Sequence, residues 1–202
     1  MSVPGRNGSL LIKNGTYPDI NKTFLLTIDV DEECDVEEII CSIEKWLFSE
    51  EEINRLTYRR NERYSIVKKV IVDDISMEFE TFGDFKVTFI CEPFNYDLNE
   101  STITLTNETN IFNSGHFSSE PNIKIYGDGN IQLTINSETV QINNVNEYVE
   151  LDSKLLLCLN SDKTSKTRDM KGNFLLLSRG DNKVSWTGNV RKVEIIPRII
   201  YR

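Results

Sequence analysis

The residues best equipped for chemistry in this sequence are one histidine, His116, four cysteines, Cys34, Cys41, Cys91 and Cys158, and 32 carboxylates. An enzyme needs at least a positioned base, a nucleophile or a metal. His116 stands in a Gly-His-Phe segment of an expected loop, where a surface position is the simpler assignment. No G-x-S-x-G elbow, H-E-x-x-H pair, Walker A loop or G-x-G-x-x-G phosphate loop occurs. Gly127-Asp128-Gly129 imitates part of the last, but no helix is expected after it to cradle a phosphate. With Asn130 it reads as a hairpin turn, because glycine tolerates the positive φ such turns demand. Carboxylates are too numerous here for any pair to stand out as an acid–base couple. Trp186, within Val184-Ser185-Trp186-Thr187-Gly188-Asn189, is a candidate for stacking a sugar ring, although strand alternation makes burial an equal expectation.

Cys34 and Cys41 lie seven residues apart around an expected helix, roughly 10 Å if both are helical. That is too far for a disulfide. There is no C-x-x-C pair, and His116 is remote in sequence from every cysteine, so a zinc site is not expected. All four cysteines read as reduced thiols of a protein made in the cytoplasm. The Asn-x-Ser/Thr triplets at Asn7, Asn14, Asn21, Asn99 and Asn107 carry no message without secretion. The expectation is a chain with no catalytic, cofactor-binding or metal-binding residues.

The elements that would carry these residues are mostly strands. Of 202 residues, 39% are apolar and 27% charged, a globular balance. Alanine is absent while Ile, Val, Thr, Tyr and Phe abound, which predicts a mainly β protein. No apolar run approaches the ~20 residues of a membrane-spanning helix. The opening Met1-Ser2-Val3-Pro4-Gly5-Arg6-Asn7-Gly8 lacks a signal peptide's apolar core, so export by that route is not expected.

Residues 4–20 read as loop with a short strand at 10–12, and 22–30 alternate as a half-buried strand with Phe24, Leu26, Ile28 and Val30 inward. Residues 36–48 carry Val36, Ile39, Ile40, Ile43, Trp46 and Leu47 at helical spacing, the one convincing apolar stripe. Asp35 and Glu38 are placed as a capping box, and Glu32, Glu33, Glu37 and Glu38 crowd the helix start. That cluster lacks the spacing of a calcium loop, and capping explains it. Strands are predicted at 55–58, 64–72, 75–81 and 85–93, an antiparallel sheet against which the helix must bury its stripe. The polar stretch 95–115 marks a boundary near Leu98, with a short strand at 102–105. Beyond it, strands at 122–126, 131–135, 139–142, 148–151, 154–159, 174–177, 183–187 and 191–196, with a polar loop at 160–171, predict a β-sandwich.

Net charge is −9, which argues against nucleic acid as a partner. The charge is polarised: residues 162–202 carry 10 basic and 4 acidic side chains, against 13 basic and 28 acidic in 1–160. Two differently solvated surfaces account for this, and a dipolar molecule suited to head-to-tail association accounts for it too.

Several segments, taken in order, resemble one family: the distal tail proteins of long-tailed phages and prophages of Gram-positive bacteria. They are Val3-Pro4-Gly5-Arg6-Asn7-Gly8, Phe85-Lys86-Val87-Thr88-Phe89-Ile90-Cys91-Glu92-Pro93-Phe94, Pro121-Asn122-Ile123-Lys124-Ile125-Tyr126-Gly127-Asp128-Gly129-Asn130-Ile131, Asn182-Lys183-Val184-Ser185-Trp186-Thr187-Gly188-Asn189-Val190 and Val193-Glu194-Ile195-Ile196-Pro197. The resemblance implies an N-terminal α+β ring-forming domain (residues 1–98) and a C-terminal galectin-like β-sandwich (99–202). It also implies a structural part of the virion tail tip, synthesised in the bacterial host cytoplasm: a homohexameric ring, the baseplate hub joining the tail tube protein to the tail-associated fibre protein. It implies no enzyme activity, cofactor, nucleic acid or membrane. Family members carry further residues ahead of the Pro-Gly-Arg loop, which starts here at residue 4, so the first domain is expected to lack the family's first strands. The short second half is expected to hold no receptor-binding protein directly. The alternative from the residues alone is a carbohydrate-binding β-sandwich module, although the galectin pattern of sugar-contacting residues is not matched.

Overall fold

The computed structural model describes residues 16–29, 36–48, 54–58, 62–73, 76–79 and 82–202. In chain order these form β1 (Ile20–Asp29), α1 (Val36–Leu47), β2 (Arg55–Leu56), β3 (Arg63–Val72), β4 (Ser76–Phe79), β5 (Phe82–Asp97), β6 (Ile103–Leu105) and β7 (Thr109–Asn113). There follow β8 (Asn122–Ile135), β9 (Glu138–Val145), β10 (Tyr148–Asp152), β11 (Leu157–Asn160), β12 (Met170–Lys171), β13 (Gly180–Ile196) and β14 (Ile200–Tyr201). Among the described residues the fold is mainly β, with one α-helix, a single 3-10 turn at Thr167–Asp169 and antiparallel pairings throughout the ladders. The expected strand at 10–12 and the Asp35 cap lie outside the described residues.

The chain divides into two compact units. The first takes residues 1–55 and 66–93, the second 56–65 and 94–202. In the first unit the strand order runs β1-β5-β3, with β1 paired to β5 from Ile20↔Cys91 to Asp29↔Phe82. The alternation of β1 is as its sequence predicts, with Ile28 buried and Leu26 half-buried on the inner side. Ile39, Ile40, Ile43 and Leu47 of α1 pack on Ile28, Phe85 and Val87. Trp46 corrects the expected stripe. It is 68% exposed, because a helical period turns it ~20° beyond Ile39, to the stripe's edge.

In the second unit two long strands do most of the work. β8 pairs β10 through its first half and β9 through its second. β13 pairs β7 through its first half and β6 through its last residues. One sheet of eight strands is thus made of two halves joined by β8 and β13, which pair with each other at eleven positions. The inward residues of both halves, Ile123, Ile125, Val149 and Ile195 from one and Ile131, Leu133, Val140 and Val184 from the other, meet in one buried core.

This overturns the expected hairpin at Gly127–Asn130. Those residues are the bend of a continuous β8, lying against Asn189 and Val190 of β13, with register shifts in the ladder at that point. The glycine signal was real but met a different need. A Cβ on Gly127 would stand 2.2 Å from the Asn189 carbonyl oxygen, and Gly129 takes φ +82°. Likewise, 183–187 and 191–196 are one strand, β13. Residues 174–177 form no strand, only a bridge between Ser119 and Leu177, and β7 is a second strand in the polar stretch 95–115, where only 102–105 was expected to pair.

Candidate functional site

His116 is exposed and serves as a tether. Its Nδ1 accepts a hydrogen bond from the Arg202 amide at 3.1 Å, its own amide donates to the Ile200 carbonyl at 2.9 Å, and its ring meets Tyr201 edge-on. Trp186 is half-buried and packs against the core. Cys41 is exposed on α1, while Cys91 and Cys158 are buried free thiols. Burial pushes the Cys158 thiol up to about 11 and raises that of Cys91, which leaves scarcely any thiolate at neutral pH. Glu37 and Glu38 are exposed in the first turn of α1, and Cys34, Glu32 and Glu33 lie outside the described residues. Among the described residues, no group of three or more His, Cys, Asp or Glu is placed to hold a metal ion.

The structure assembles one polar surface that pattern reading did not find. Alternation along β8 buries Ile123 and Ile125 and turns Asn122, Lys124 and Tyr126 to the outer side. Cross-strand register then fixes their neighbours. Lys124 lies between Glu150 of β10 and Glu194 of β13, Tyr126 lies between Tyr148 and Lys192, and Asn122 lies beside Asp152. Glu150 accepts from Asn122 Nδ2 at 3.0 Å and pairs with Lys163; Glu194 accepts from Tyr126 Oη at 2.9 Å and pairs with Lys192. The Lys163 hydrogen bond holds the Glu150 carboxyl below its usual range despite partial burial, and Lys192 does the same for Glu194. Burial, then the bond to Glu194, raises the Tyr126 phenol. Thr102, Asn122, Lys124, Glu150, Glu194 and Ile196 enclose a groove of about 220 Å³ on this face.

Below the groove, Arg198 grips Asp152 with two hydrogen bonds of 2.7 Å, and the same carboxylate accepts the amides of Lys154 and Leu155 at 3.0 and 2.9 Å. These bonds fix the turn between β10 and β11, where Leu155, Leu156 and Leu157 are all exposed and Leu156 takes φ 54°. An exposed leucine in the left-handed region carries local backbone strain. Further exposed apolar side chains are Leu25 on β1 and Trp46 and Phe48 at the end of α1.

With the strands and their polar contacts in place, the whole chain can be compared with solved structures. The crystal structure of the Dit (gp 19.1) protein of phage SPP1, described as a paradigm of the hub adsorption apparatus in phages that infect Gram-positive bacteria, matches it with a TM-score of 0.73. This chain has the Dit fold. The match covers 96% of this chain and 84% of the Dit chain at 13% sequence identity, so the likeness is one of architecture. No family model matches the sequence, and no curated protein matches it. The resemblance read from the ordered motifs is therefore met at the level of the Dit fold.

Proposed function

We propose that this protein is a structural component of a phage or prophage tail tip: a homohexameric ring at the hub that joins the tail tube protein to the tail-associated fibre protein, built without catalysis. The observation that carries this reading is the Dit likeness across nearly the whole chain. The division into an N-terminal ring-forming domain, residues 1–98, and a C-terminal galectin-like sandwich, residues 99–202, belongs to the same proposal, as do synthesis in the host cytoplasm and residence in the virion. A closed ring needs a heterologous, self-repeating interface. β1 is a ten-residue strand at the edge of its sheet, and among the described residues no strand pairs its outer side. Such an edge, with Leu25 exposed on it, suits pairing with a neighbouring copy. Light scattering coupled to gel filtration tests the proposal, with electron microscopy of the peak fraction. A hexamer mass and ring images are expected; a strict monomer at high protein concentration refutes it.

A further inference from the structure

The groove on the outer face of β10, β8 and β13 holds a lysine that touches aromatic rings and has no hydrogen-bond acceptor among the described residues. Lys124 is half-buried, and its ammonium lies 4.8 Å from the Tyr148 ring centre and 5.9 Å from that of Tyr126. Among the described residues no carboxylate or carbonyl oxygen accepts a hydrogen bond from it. Its cross-strand neighbours Glu150 and Glu194 are taken by other donors, Lys163 and Asn122 in one case and Lys192 and Tyr126 in the other. Lys124 thus lines the groove with ammonium donors that no described oxygen accepts, beside two carboxylates, each oxygen of which keeps a second lone pair. Thr102 adds a hydroxyl, and Ile196 supplies an apolar wall.

The charges decide what fits. An anion would meet Glu150 and Glu194, and a cation would meet Lys124, Lys163 and Lys192. A neutral molecule that presents donors and acceptors at short spacing, together with a C–H face, satisfies every group at once. We propose that this groove, centred on Lys124, is a binding site for a neutral saccharide. Its floor is three paired strands, so the groups are positioned before the ligand arrives. The site owes nothing to Trp186, and it does not depend on the tail-tip reading.

The test uses the whole protein on a glycan array carrying neutral, acidic and amino sugars, followed by calorimetric titration with the strongest neutral glycan. Wild type is expected to bind neutral glycans in preference to charged ones. Lys124→Met, which keeps the stem and removes the donors, is expected to weaken binding about tenfold or more. Thr102→Val, on an exposed position, gives a second reading if Lys124→Met fails to fold, and is expected to weaken binding severalfold. Trp186→Phe is expected to bind as wild type does. The proposal is overturned if no glycan binds at millimolar concentration, if charged glycans are preferred, or if binding survives both groove substitutions. Ring formation is measured separately, so loss of glycan binding with an intact hexamer, or the reverse, tells the two proposals apart.

Discussion

Placing a methyl group at Gly127 tests how β8 and β13 cross. The new Cβ would stand 2.2 Å from the Asn189 carbonyl oxygen, 3.0 Å from Ile131 Cδ1 and 3.1 Å from Val190 Cα. Two of these atoms are backbone of the paired strand, which cannot retreat without parting the ladder. Gly127→Ala should therefore cost about 3 kcal/mol, the upper range for overpacking. Gly129 supplies the internal control. It takes φ +82° but has nothing within 4 Å of an added Cβ, so Gly129→Ala should cost only the left-handed penalty, about 1 kcal/mol. With a urea m-value of about 2 kcal/mol/M, the midpoints should fall by roughly 1.5 M and 0.5 M. Fluorescence of Trp186 on β13, in a Trp46→Phe background, reports the second unit alone. Equal shifts for the two variants, or a Gly127→Ala midpoint indistinguishable from the parent, would refute the close crossing.

Three further outcomes concern Asp152, Leu156 and the cysteines. The Arg198 hydrogen bonds, aided by the Leu155 amide and Asn122 and opposed by burial, hold the Asp152 carboxyl far below its usual range. A group so depressed adds stability that is complete above the unfolded value near ~4 and fades as pH falls below it. Arg198→Met should cost about 3 kcal/mol at pH 7 and flatten the acid limb of a stability–pH curve; an unchanged limb would count against the pair. Leu156→Gly should raise thermal stability by about 0.5 kcal/mol by relieving the left-handed leucine, and a clear loss would show that Leu156 packs in solution. Timed alkylation at pH 8 with peptide mapping should label Cys41 promptly and spare Cys91 and Cys158 until urea is added; early labelling of Cys158 would contradict its burial.

Much of the first unit was legible because its signals are local. The two-residue period of β1 and the helical spacing of Ile39, Ile40, Ile43 and Leu47 each name an inner face without reference to the rest of the chain. Trp46 misled because it sits where the stripe ends, and sequence spacing alone does not draw that edge. In the second unit, Gly127-Asp128-Gly129-Asn130 has a hairpin's composition, yet its need for glycine comes from Asn189, some sixty residues away. β7 was hidden in a polar stretch because it pairs with β13 while exposing Phe112 and Asn110. The groove was invisible for the same reason: Lys124, Glu150 and Glu194 become neighbours only through register, which a single sequence does not reveal.

The shared strands also have a mechanical consequence. β8 and β13 each belong to both halves of the second unit, so neither half can detach while the other stays intact. Tension applied along these strands would have to shear their common ladder as a block, with no hairpin there to unzip rung by rung. Amide exchange across the two halves should accordingly show a single cooperative opening, and the unit should behave as one stiff strut under axial load.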